Sequence, residues 1–230
     1  MKNIDRTFWE MYSSKAFVKV KANAFSINKL QMDFVNTENK RSIIIYIEIY
    51  KAITLANDIL SGRINKLVEK ESQTAKSENR FPKPVWNDFG GISAKKAKER
   101  KIRSDGKAVS RSFAITSGTK VPIIFQSIQG EGREAESGAI TPVYSRDDEK
   151  IIIPLYTQDL KSFALAVKSE WEAYLSGSYI NGCFSSENRN KAGTGATVSN
   201  KSNASPEPAS VDTNYPYPED DYGYPPYEGY

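Results

Sequence analysis

Eight cations crowd into residues 95–111. Lys95, Lys96, Lys98, Arg100, Lys101, Arg103, Lys107 and Arg111 stand against only Glu99 and Asp105, and Trp86 and Phe89 lie just upstream. Lysine and arginine neutralise phosphates, and aromatic rings stack on unpaired bases, so this mixture has the composition of a single-strand groove. A second set sits on the alternating segment 16–25, AFVKVKANAF. Period two puts Phe17, Lys19, Lys21 and Phe25 on one face of a strand, with Ala16, Val18, Val20, Ala22 and Ala24 on the other. The small apolar face points to a core, and the outer face shows two lysines framed by two phenylalanines. A charge run is usually only a solvated surface; the aromatic neighbours are what point beyond solubility.

Composition excludes much other chemistry. The chain has no histidine, which removes imidazole acid–base catalysis, His-activated nucleophiles and His metal sites. Its single cysteine, Cys183, permits neither an internal disulfide nor a cysteine cluster for zinc. Gly118-Thr119-Lys120 lacks the upstream glycine of a phosphate loop, and Gly130-Glu131-Gly132 lacks the rest of a dinucleotide loop. Asp147, Asp148 and Glu149 are carboxylates of the kind Mg²⁺ takes, yet they fall in a turn between strands, where acids are ordinary. No carboxylate pair stands out as acid and base. The expectation is a non-enzyme, with no catalytic residue, no metal and no cofactor.

Elements must position these side chains. Residues 30–35 and 42–49 (SIIIYIEI) read as strands around the polar turn 36–40. Ile49, Ala52, Ile53, Ala56, Ile59 and Leu60 then form one helical stripe that Gly62 closes. Residues 71–83, ending in FPKP, read as a linker or long loop. Strands follow at 112–116 and 121–128, with 129–138 a flexible hairpin loop, and again at 139–144 and 151–155. Thr157 can cap a helix whose stripe is Leu160, Phe163, Ala164, Val167, Trp171, Tyr174 and Leu175, ending at Ser176-Gly177.

An internal repeat organises these elements. Ile43-Ile44-Ile45, a helix and Ser61-Gly62 compare with Ile151-Ile152-Ile153, a helix and Ser176-Gly177. The fold class predicted is α+β: two strand-rich units each closed by a helix, 16–62 and 111–177, joined by a basic insertion 71–110. Their antiparallel sheets would carry the helices on one face and leave the other open to ligand. An OB-like β-barrel is the alternative.

The charge is uneven. The chain carries +4, but 205–230 holds six carboxylates and no Lys or Arg, so the preceding 204 residues carry +10. Residues 1–184 read as a nucleic-acid-binding domain. Residues 185–213 are mostly Ser, Asn, Ala, Gly, Thr and Pro with no apolar period, a disordered linker. Residues 214–230 form an acidic, Tyr/Pro-rich tip whose Glu219, Asp220, Asp221, Tyr222, Tyr224, Tyr227, Glu228 and Tyr230 suit partner binding. The N-terminus is too polar for a signal peptide and no run approaches ~18 apolar residues, so a soluble, cytoplasmic protein without membrane contact is expected.

Strands followed by one helix, repeated once over 16–62 and 111–177, resemble the PUR, Whirly and PC4-like group of single-stranded nucleic-acid-binding folds. Separately, the layout of body, linker 188–214 and tip resembles bacterial and phage single-stranded DNA-binding proteins. The tip departs from them in ending at Tyr230, where theirs usually end in Phe, and their folded domain is usually an OB barrel. The resemblance implies sequence-independent single-stranded DNA binding in DNA replication and recombination, in a phage or mobile element. The tip would recruit replication or recombination proteins, and homo-oligomers are compatible with it. Two other readings stay open: an RNA-binding or transcription-regulating module of similar fold, and a structural protein with a self-associating Tyr/Pro tail.

Overall fold

The computed structural model describes residues 5–103, 105–119 and 121–180. The linker 185–213, the tip 214–230 and Cys183 lie outside the described residues. The first four strands, β1 (Thr7–Tyr12), β2 (Ala16–Lys21), β3 (Lys29–Asn36) and β4 (Ser42–Glu48), make an antiparallel meander in chain order. Alternation decides their faces: Val18 and Val20, Leu30, Met32 and Phe34, and Ile43, Ile45 and Ile47 are buried, while the residues between them are half-buried or exposed. Two helices follow, α1 (Ile49–Leu60) and α2 (Arg63–Ser77).

The second sheet is built from β5 (Trp86–Ile92), β6 (Ala108–Ser117), β7 (Ile123–Glu134), β8 (Ile140–Val143) and β9 (Glu149–Leu155). Its order is β5-β6-β7-β8, with β9 paired to the first half of β7 where β8 pairs to the second. A short helix, α3 (Ala94–Glu99), bridges β5 and β6, and α4 (Thr157–Ile180) closes the described chain. The architecture is therefore α+β, with two open antiparallel sheets in place of the single barrel of the alternative.

One core joins both sheets to α1 and α4. Phe113 of β6 meets Phe34 of β3 at 5.8 Å between ring centroids and Phe125 of β7 at 5.0 Å. Trp9 of β1 packs edge-on against Phe163 of α4 at 5.4 Å, and its Nε1 donates to Ser162 Oγ at 3.3 Å. Each such ring buries enough apolar surface to contribute about 1.5–3 kcal/mol. Lys168 Nζ donates to Asn57 Oδ1 at 2.8 Å, tying α4 to α1. No helix among the described residues is long and apolar enough to cross a membrane.

Three local expectations are corrected. The alternating strand stops at Lys21, and 22–27 turn as a 3₁₀ helix that ends on Asn28 in the left-handed region, φ 56°. Asparagine tolerates that conformation better than most residues. Phe25 therefore turns inward, 1% exposed, with its ring edge-on to Trp171 and Tyr174. Residues 71–77, read as loop, complete α2, because Ile64, Val68 and Ala75 are buried along it. Beyond α2, Arg80 reaches back to Glu71 and Glu78, and the Lys83 N–H donates to Glu71 at 2.6 Å. The Arg80 hydrogen bond, then that N–H, hold the Glu71 carboxyl below its ordinary pKa and brace the approach to β5.

The third correction is β7, which runs on through the expected hairpin loop to Glu134. Glycine makes this legible afterwards. A Cβ on Gly132 would meet Ile140 of β8 at 2.5 Å, and one on Gly91 would meet the Val109 carbonyl at 2.6 Å. The missing side chains let this end of the sheet curl until β8 closes over β5 and β6.

Candidate nucleic-acid interface

A groove of about 950 Å³ opens where the two sheets meet. The first sheet contributes Lys29 and Gln31 of β3 and Ile44, Ile45 and Tyr46 of β4. The second contributes Asp88 to Ile92 of β5, Arg111 of β6 and Ile140 and Thr141 of β8. Lys96 of α3 and Arg100 just past it complete the cationic lining. Alternation again fixes the geometry. On the sheet face that carries Phe113 and Ile115 into the core, the next residue towards the N-terminus is Arg111, flanked in register by Gly90 and Gln129. The same face continues to Val109 and Ile92, which Ala97 of α3 covers. The groove thus lies between the core and α3.

Arg111 is fixed rather than free. Its Nε donates to Gln129 Oε1 at 2.7 Å and its Nη1 to the Ile44 carbonyl at 3.3 Å, on the unpaired edge of β4. Burial lowers its pKa, Tyr46 opposes that, and the nearby charge of Arg100 adds to it. Arginine nevertheless stays protonated at neutral pH. Among the described residues no ion pair reaches Lys29, Lys96, Arg100 or Arg111. The carboxylate of the lining, Asp88, is held by Lys51 of α1 at 3.0 Å. That hydrogen bond and the Asp88 charge raise the pKa of Lys51. Two exposed aromatics border the groove: Tyr46, 43% exposed, and Phe89, 48% exposed, the latter from the strand face opposite to that of Gly90 and Arg111. The arrangement can bind a polyanion and stack planar groups.

The residues singled out by sequence in 86–111 separate into four groups. Phe89, Lys96, Arg100 and Arg111 come together in the groove. Lys95, Lys98 and Lys101 lie exposed on and just after α3, outside its lining. Arg103 and Lys107 are engaged: Arg103 with Asp105 at 2.7 Å, and Lys107 with Glu131 at 2.6 Å. Trp86 is half-buried at the rim of the core, its ring 5.7 Å from that of Phe113.

The β2 set does not form an open cationic face. Lys21 pairs with Asp33 at 2.9 Å and Asp5 at 3.4 Å, and Lys19 with Glu10 at 3.9 Å. Burial works to lower the pKa of Lys21, and the bond and charge of Asp33, with Asp5, more than offset it. Phe17 lies half-buried against Tyr12 at 5.4 Å, and Phe25 is in the core.

Sequence reasoning missed Lys29, Gln31 and Tyr46. Tyr46 carries the one signal that was available: it is the lone aromatic in an isoleucine-rich strand and occupies a position that alternation turns outward.

No protein-family model and no curated protein matches the chain. Among solved structures, that of the plant transcriptional regulator PBF-2 aligns with 81% of this chain and 91% of that one, at 12% identity and a TM-score of 0.42.

Proposed function

We propose that this chain binds single-stranded DNA with little sequence preference, in the groove between its sheets. One observation carries the reading: four cations with no carboxylate partner among the described residues line the groove beside two exposed rings. Phosphates satisfy the cations, and bases stacked on Tyr46 and Phe89 each contribute about 1–3 kcal/mol. Stacking of this kind needs open base faces, which a duplex hides. No base-reading set is required, so the preference is for strandedness rather than sequence. Such an activity serves DNA replication or recombination, with the acidic tip 214–230 recruiting partner proteins.

The test is fluorescence anisotropy with a labelled 20-mer as single strand, as duplex and as RNA of the same sequence. The single DNA strand is expected to bind tightest. Its log affinity should fall against log salt with a slope of about −3, from four phosphate contacts on a single strand. Equal affinity for the duplex, or no binding of the single strand at low salt, ends the reading. Tighter binding of RNA keeps the groove and moves the ligand to RNA.

A further inference from the structure

Nine glycines lie among the described residues, and most have a structural reason. Gly91, Gly118, Gly130 and Gly132 sit where a Cβ would come within 3 Å of a neighbouring atom, and Gly62, Gly106 and Gly138 have positive φ. Gly90 has neither. A Cβ built on it meets nothing within 4 Å, and its backbone is that of an ordinary strand residue. Glycine inside a strand weakens it, and often marks a bulge, a bend or the close approach of a ligand or another backbone; the β5–β6 register runs unbroken through Gly90, so no bulge sits there. Gly177 is the other such glycine, and it lies within helix α4.

The position of Gly90 is what gives this meaning. It is directly opposite Arg111 in the β5–β6 register, on the face that opens into the groove, and it lines the groove together with Phe89 and Arg100. Any side chain at 90 would project into the space beside the Arg111 guanidinium. That guanidinium has five N–H donors, of which Gln129 and Ile44 engage two. Three donors remain, with Arg100 nearby and Gly90 opposite in register.

We propose that Gly90 is the clearance residue of the groove: its missing side chain lets a phosphate of an unpaired strand pass close to the β5 backbone and reach Arg111. This rests on the single-strand reading above. Affinity then depends on the size of residue 90 even though glycine itself makes no side-chain contact. Larger residues at 90 shut the anion site while leaving the exposed lysines of α3 available to any polyanion.

The experiment is a graded series, Gly90→Ala, Gly90→Val and Gly90→Leu, in the full chain. Anisotropy with labelled (dT)20 and thermal melts are measured for each, with Arg111→Gln alongside. The expected result is a loss of single-strand affinity that grows with side-chain size, a fewfold for alanine and at least about thirtyfold for leucine. Melting temperatures should stay near the parent, because the Cβ meets open space and valine suits a strand. Gly90→Leu and Arg111→Gln combined should lose little more than either alone, since both close one site. Parent-like affinity in the leucine variant overturns the clearance role and leaves the groove reading standing. Losses that simply multiply in the double variant overturn it too. Should leucine unfold the chain, the alanine and valine variants decide by the same criterion. A parent protein that does not bind (dT)20 overturns both proposals.

Discussion

At the scale of single residues, burial and pairing separate the side chains that can meet a ligand from those that cannot. Phe25 and Phe89 look alike in sequence, each an aromatic near lysines, yet one is 1% exposed and the other 48%. The difference lies in the turn after Lys21, which brings Phe25 under Trp171 and Tyr174. Phe25→Ala should therefore cost about 3–5 kcal/mol in chemical denaturation, the usual range for emptying a buried aromatic site. Under native conditions its single-strand affinity should stay at the parent value. Lost affinity with unchanged stability would place Phe25 on the binding surface instead. Lys19 and Lys21 make the same point electrostatically. Lysines on an outer strand face are free only if the neighbouring strands lack carboxylates, and β1 and β3 supply Glu10 and Asp33.

At the scale of elements, α3 shows how a charge run is divided. Lys96 and Arg100 are four residues apart and so share a helical face, and that face lines the groove. Ala97 faces Ile92 and Val109, and Lys95 and Lys98 point to solvent. Replacing Lys96 and Arg100 together with alanine should lower single-strand affinity by about tenfold or more at moderate salt. The same exchange at Lys95 and Lys98 should cost no more than about threefold. Anisotropy salt titrations of the two double variants read this directly; equal losses would mean that the run acts as a diffuse patch and the groove has no special share.

The sequence made elements with a clear pattern legible: β2, α1 and α4 announce themselves by spacing, and β4 by its β-branched run. It left α2 obscure, because that helix is mostly polar and buries little beyond Ile64, Val68 and Ala75. The end of β7 was obscure because its glycines look like a loop until β8 is known to lie over them. Half of the groove was legible for the same reason: Phe89, Lys96, Arg100 and Arg111 belong to one segment rich in cations and rings. Lys29, Gln31 and Tyr46 join them only through the meeting of two sheets, which no local pattern encodes.

At the scale of the whole molecule, a cationic body of 204 residues precedes a segment carrying six negative charges. Deleting residues 205–230 removes those charges and none of the described residues that line the groove. Single-strand affinity should then hold or rise, most visibly at low salt, while pull-down of partner proteins from the host is lost. A collapse of affinity in the same titration would make the acidic segment part of the binding site. The body itself is fastened across the groove by polar links, Arg111 to the Ile44 carbonyl and Lys51 to Asp88.

The first of these links has a bearing on self-association. β4 borders the groove with a side that no strand among the described residues covers, and such a side invites a foreign polypeptide to add itself, copy after copy. By occupying the Ile44 carbonyl, Arg111 blunts that invitation. One guanidinium thus caps a strand carbonyl that an added strand would need.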